Sequence, residues 1–296
     1  MSRIDLSGLP APDVLIPIDY ENMLAAIKAD LISRDPSLTD ALSLESDPLT
    51  KLLESVAYLH MLKTNQVNQT AKAMLLAYAT GTTLDHLASA VNVSRLLVKQ
   101  GNPNAVPPMP DIYESDDAFR RRIQLEPERA SAGSEGAYMF WALSADGDVR
   151  DISVVTATAG VVTVYVQSHS ELVASDILKE KVRQAVDNPN RKPFTDQVRI
   201  ASGQPFGFDV QAELTLYPGP DKDVVMATAR AELDKYLEKV RYLGYDVTIS
   251  GLHHALHQAG VQRVKLLAPL TDINLPKGKY ANCTGVMLGA VEYRDV

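Results

Sequence analysis

The sequence predicts an α+β protein: a long-helix N-terminal region, two small sheet-and-helix units and an extended C-terminal arm. Three observations carry that expectation. Between Asp47 and Ala79 apolar residues recur at three- and four-residue steps. Between Lys99 and Asp111 the chain holds Pro103, Pro107, Pro108 and Pro110, a composition of linkers and extended arms. Beyond Gly147 β-branched runs alternate with stretches of helical period. The divisions that follow are 1–98 (a helical dimerisation or wedge region with an extended N-terminal arm), 99–147 (linker and short helices), 148–268 (an α+β core of two units) and 269–296 (a C-terminal arm).

In order, Pro10, Pro12 and Pro17 among apolar residues favour an extended arm over a helix. Asp19 suits a cap for a helix carrying Leu24, Ile27 and Leu31, with Pro36 past its end. Asp47 caps the long helix, Pro48 fits its first turn where the missing N–H is harmless, and Gly81 stands where a left-handed terminator would go. Such a run would be about 48 Å long. Its N-terminal half shows one apolar face, Leu49, Leu52, Leu53, Val56 and Leu59. Its middle is polar: Lys63, Gln66, Asn68, Gln69 and Thr70 interrupt the stripe. These side chains read either as a solvated face or as a self-association seam, where amides buried against a partner fix register.

A short helix bearing Leu84, Leu87, Ala88 and Val91 follows, with Asn92 as a left-handed stop. Glu114 to Asp117 opens the next helix, in which Arg120, Arg121 and Arg122 fan around the axis instead of converging on a phosphate; a solvated or subunit-contacting face is expected. Ser131 to Gly136 leads into a helix with Tyr138, Phe140, Trp141 and Leu143. Strands are predicted at 149–156 and 161–166 around a turn at Gly160, then a helix through Ile177, Val182 and Val186 and a strand at 197–200. The second unit reads as strand 207–217, a turn at 218–220, a helix through Val225, Ala229, Leu233 and Leu237, strand 246–250, a short helix at 252–258 and strand 261–267. The tail from Ile273 alternates loosely, as an arm or an edge strand would.

Composition excludes several function classes. The chain has 296 residues, 46% of them hydrophobic, and 37 acidic against 29 basic side chains give a net charge of −8. That charge opposes capture of nucleic-acid phosphates. No apolar segment approaches the ~20 residues of a membrane crossing, and the N-terminus lacks an apolar signal core. Neither nucleic acid nor membrane is an expected partner. Cys283 is the single cysteine, so neither an intrachain disulfide nor a cysteine-rich metal site is expected.

The candidate chemistry is sparse. His253, His254 and His257 bring two imidazoles to one helical face at a spacing zinc uses, and a metal-dependent hydrolase on His253 and His257 is the alternative reading. The glutamate of the zinc-protease pattern is missing, and Leu252 and Leu256 suit a packed helix. Ser134 lies one residue short of a nucleophile-elbow pattern with no strand before it, and reads as a cap. The acid pairs lie at turns and helix ends. No catalytic, cofactor-binding or metal-binding residues are assigned, and no cofactor is expected.

Several stretches acquire meaning from their order. Ile4 to Asp13, Ala73 to Gly81 with Leu84, Asp85, Leu87 and Ala88, Asn92-Val93, Glu114-Ser-Asp116 with Arg120 and Arg122, Ser144 to Gly147 with Asp151 to Val154, Leu216 to Pro220, and Gly260 to Val264 with Ala268-Pro269 run along nearly the whole chain. In that order and spacing the chain resembles the baseplate assembly protein J family of contractile-tailed phages and phage-tail-like bacteriocins. The resemblance implies a non-enzymatic wedge component made in the bacterial cytoplasm and carried in the baseplate. Its implied partners are a second copy of itself, within the wedge and in ring contacts, a smaller tail protein of the I family, and other hub and wedge proteins. The ring so formed around the hub rearranges on contraction.

Overall fold

The computed structural model of the chain describes residues 6, 9, 10, 12–219 and 221–292. Parts of the N-terminal arm (1–5, 7, 8 and 11), Pro220 and the last four residues therefore lie outside the described residues. The chain divides into two units, 1–94 and 95–296.

The first unit is helical. Asp19 caps α1 (Tyr20–Arg34) by accepting from the Asn22 N–H at 3.0 Å. No residue of α1 is fully buried; the half-buried line Met23, Leu24, Ile27 and Leu31 marks its inner face. A short α2 (Thr39–Ser43) occupies what the sequence left as loop. Asp47 then caps α3 (Pro48–Ala73), accepting from Leu49 N at 2.8 Å, and α1 packs along this helix. At 26 residues α3 is about 39 Å long, and it stops six residues before the expected end at Ala79. The turn that replaces the last stretch is closed by Tyr78 and Ala79 N–H groups on Leu75 O, which lets Ala79 bury completely. Gly81 has the left-handed backbone expected of it, φ +52, but it opens α4 (Gly81–Ser89) instead of ending α3. Asn92, φ +55, ends the unit's last turn as predicted.

In the second unit β1 (Leu97–Lys99) and β2 (Ile112–Tyr113) form a small antiparallel ribbon. Ser115 caps α5 (Asp116–Leu125) and Ser134 caps α6 (Glu135–Leu143). The predicted hairpin is β3 (Val149–Thr158) and β4 (Val161–Ser168), turning at Gly160. α7 (Asp176–Val186) carries the chain to β5 (Gln197–Ser202), parallel to β4. The chain continues past Gly203 into β6 (Gln204–Leu216), the central strand of a second sheet. Asp221 caps α8 (Lys222–Val240), Thr248 caps α9 (Ile249–Leu256), and β7 (Val261–Ala268) and β8 (Lys279–Glu292) flank β6. The inner face of this sheet packs Val210, Ala212 and Leu214 against Val225, Ala229 and Leu233 of α8 and Leu252 and Leu256 of α9.

One expectation changes here. The strand read at 246–250 shrinks to one bridge, Val247 to Ile273, because Thr248 spends its hydroxyl on the Gly251 N–H and starts α9. Of the two readings of the tail, arm or edge strand, the structure has the edge strand over 279–292, parallel to β6 along that strand's whole length. No described helix is long and apolar enough to cross a membrane.

Candidate assembly interface

Helical periodicity gives α3 two stripes. The buried one is Thr50, Leu53, Ala57, Thr64 and Asn68, mostly small or polar residues that let α1 approach closely. The other carries the large side chains read as the helix's greasy face, and it points outward: Leu52 is 59% exposed, Val56 44% and Leu59 61%. Leu49, Leu52, Val56 and Leu59 are followed at the same alternating three- and four-residue steps by Lys63, Gln66 and Thr70, which is the a/d spacing of a helix seam. Its N-terminal half is apolar and its C-terminal half polar.

The five polar side chains singled out in the sequence divide on this geometry. Lys63 and Gln66 are exposed on the outward seam and touch each other, Nζ to Oε1, at 3.2 Å. Thr70 lies on the same line, its hydroxyl turned back onto Gln66 O at 2.9 Å. Gln69 is exposed away from the seam, near Asn65. Asn68 is buried and engaged within the chain: it accepts the Ile16 N–H at 2.9 Å and donates to Ile16 O at 2.8 Å. With the Tyr78 hydroxyl, 3.3 Å from Pro10 O, this amide straps the extended N-terminal arm to α3. The arm's own large side chains, Val14, Ile16 and Ile18, remain exposed. The Asn68 clamp spans 52 residues, and no local sequence signal announces it.

Of the two expectations for the arginines of α5, a solvated or a subunit-contacting face, the solvated one does not hold: all three are paired within the chain. Arg120 pairs with Asp117 at 2.6 Å, Arg121 with the buried Asp151, and Arg122 with Glu114, both side chains nearly inaccessible. Glu114 also accepts the Leu96 N–H at 2.9 Å, so the pair pins the start of the β1–β2 ribbon to α5. Burial pushes the Glu114 carboxyl above the usual range against the pull of Arg122, and lowers the Arg122 guanidinium for the same reason.

Among the described residues the sequence's candidate chemistry does not come together. His257 is the C-cap residue of α9, outside the helix that carries His253, and among the described residues no group of three His, Cys, Asp or Glu side chains could hold a metal. Ser134 is an N-cap, donated to by Ala137 N at 3.0 Å. Burial raises the Cys283 thiol, which suits a structural side chain better than a nucleophile. A groove of about 410 Å³ between α8 and β8 is lined by Arg230, Asp234, Glu238 and Arg241, with Arg230 bound to Asp234 at 2.9 Å.

Comparison with known proteins agrees with this inventory. The Baseplate J-like N-terminal domain matches residues 45–102, which hold α3, α4 and β1, and the Baseplate J-like central domain matches residues 130–202, which hold α6 and the sheet of β3, β4 and β5. Baseplate protein J of Escherichia phage P2 is 41% identical over 303 aligned positions, covering 100% of this chain and 98% of the relative. The chain belongs to the baseplate J family, structural and non-enzymatic proteins of the phage virion tail.

Proposed function

We propose that this chain is a wedge subunit of a contractile-tail baseplate. Two copies associate through the outward seam of α3, join a tail protein I-like subunit, and the wedges close into a ring around the hub that rearranges on contraction. The observation that supports pairing is the exposure of Leu52, Val56 and Leu59 in one line. Covering a leucine, valine or isoleucine side chain is worth about 1.5–3 kcal/mol, so a helix partner is the natural occupant. Lys63, Gln66 and Thr70 extend that line with polar groups that fix register at some cost in affinity.

Light scattering of the chain alone, and together with an I-like subunit, tests the reading. Mass should rise with concentration or on mixing, and Leu59→Glu should lower the mass reached at a given concentration while the circular dichroism of the folded chain stays unchanged. A strictly monomeric chain that ignores the I-like subunit opposes the proposal. For the register role, Lys63→Leu with Gln66→Leu should strengthen association and broaden stoichiometry; unchanged stoichiometry returns both side chains to solvent.

A further inference from the structure

Sheet edges offer unpaired N–H and C=O groups and are ordinarily guarded by charge, proline or cover. Three of the edges here follow that rule. β7 carries Arg263 and Lys265 and ends at Pro269, β3 carries Arg150 and Asp151, and β5 carries Arg199. β8 does not: from Tyr280 to Val291 it has neither charge nor proline, and among the described residues no strand pairs with its outer edge. Its first residues are occupied by the chain itself, since Lys279 O accepts from Gly244 N at 2.8 Å. The open length is Gly285 to Val291.

That length is complementary to itself. Val286, Leu288 and Ala290 pack inward against the sheet core, so Gly285, Met287, Gly289 and Val291 alternate on the opposite face. Met287 is 64% exposed and Val291 51%. If two copies of this strand run antiparallel about Leu288, Met287 of each falls opposite Gly289 of the other, and Val291 opposite Gly285. Both exposed apolar side chains thus land over a residue with no side chain. On the inner face Val286 meets Ala290 and Leu288 meets its own copy. No like charges oppose each other anywhere along the pairing, and a two-fold axis perpendicular to the sheet keeps the helix layers of both copies on one side.

We propose that β8 is a self-pairing edge: a second copy of this chain adds its β8 antiparallel, centred on Leu288, to form a continuous sheet through β7, β6, β8 and their counterparts. This interface is separate from the α3 seam, and its failure would leave the baseplate assignment and the seam untouched.

Disulfide trapping in a Cys283→Ala background tests it. Chains carrying Met287→Cys mixed with chains carrying Gly289→Cys should form a mixed disulfide dimer under mild oxidation, because these positions face each other. The new side chain at residue 289 meets nothing nearer than 3.8 Å. Met287→Cys chains alone should not link, since two residues of stagger put their Cα atoms beyond the roughly 7 Å a disulfide spans. Absence of the mixed product, or self-linking of Met287→Cys at an equal rate, overturns the register. The unmodified protein gives a second reading. Amide exchange over 285–291 should slow as concentration rises; exchange independent of concentration overturns the edge itself, even in a chain that dimerises through α3.

Discussion

Replacing Arg122 by leucine removes the counter-charge from a carboxylate that has almost no access to water. The two side chains are 6% and 7% exposed, and without the guanidinium Glu114 keeps the Leu96 N–H at 2.9 Å as its backbone donor. Truncating one partner of a buried pair costs about 3–5 kcal/mol, chiefly the penalty of the stranded charge. At roughly 2–4 °C per kcal/mol for a unit of this size, melting should fall by about 6–20 °C. The sole tryptophan makes this measurable: Trp141 lies in α6 under the Arg191 guanidinium, 3.8 Å from the ring centroid, so its fluorescence follows the second unit during urea or thermal unfolding. The variant also carries a pH signature. Burial already raises the Glu114 carboxyl, and loss of Arg122 raises it further. A carboxyl with a raised folded pKa contributes stability that is present in acid and is lost as pH rises through that folded value. Arg122→Leu should therefore be closest to the parent near pH 4 and furthest from it at pH 7–8. Adding Glu114→Gln should recover most of the loss and flatten the pH dependence. A loss below about 1 kcal/mol for Arg122→Leu, or a double variant no better than the single one, would refute the reasoning.

Three further outcomes follow from the geometry. Asn68→Ala should release the N-terminal arm, with roughly 1–3 kcal/mol of local protection lost and faster hydrogen exchange at the Ile16 amide; an unchanged Ile16 rate would show that the strap holds without Asn68. Gly147→Ala places a Cβ 2.3 Å from Leu97 O and 2.9 Å from Val98 Cα, backbone that cannot swing aside, so unfolding of the second unit should shift by about 1–3 kcal/mol, and a parent-like Trp141 melt would contradict it. Tyr138 is buried and donates to Asp196 at 2.8 Å, and burial first, then Asp196, pushes its phenol above 10.0. Its contribution is present below about pH 10 and is lost as pH rises further, so Tyr138→Phe should show a shallower alkaline loss of stability; equal slopes would sink this reading.

The features legible in the sequence are those whose chemistry is local. Asp19, Asp47 and Ser134 each accept an N–H two or three residues on, so cap and helix start are written side by side. The hairpin at Gly160 was readable for the same reason. Illegible were pairings across distance: Asn68 with Ile16, Arg121 with Asp151, and Glu114 with Arg122, eight residues apart. The strand read at 246–250 failed where Thr248 had two uses, a β-branched strand residue or a cap, and the choice depended on Ile273 lying opposite Val247.

The instructive case is α3. Periodicity showed that the helix had a stripe, but Leu52 and Leu53 are neighbours, as are Val56 and Ala57, and one member of each pair faces in and the other out. Size alone favours burying Leu52, Val56 and Leu59. The fold instead buries Thr50, Leu53 and Ala57 and leaves Leu52, Val56 and Leu59 outside. A rule that assigns the greasiest stripe to the core treats water as the only surroundings a surface can have. For a subunit whose surroundings include other protein chains, the largest apolar side chains serve best where the partner lies, and the chain's own core makes do with smaller ones. The proposed β8 pairing follows the same logic: Met287 and Val291 stand exposed beside glycines on an uncharged edge, and a second copy set antiparallel against it would place each of them over a glycine.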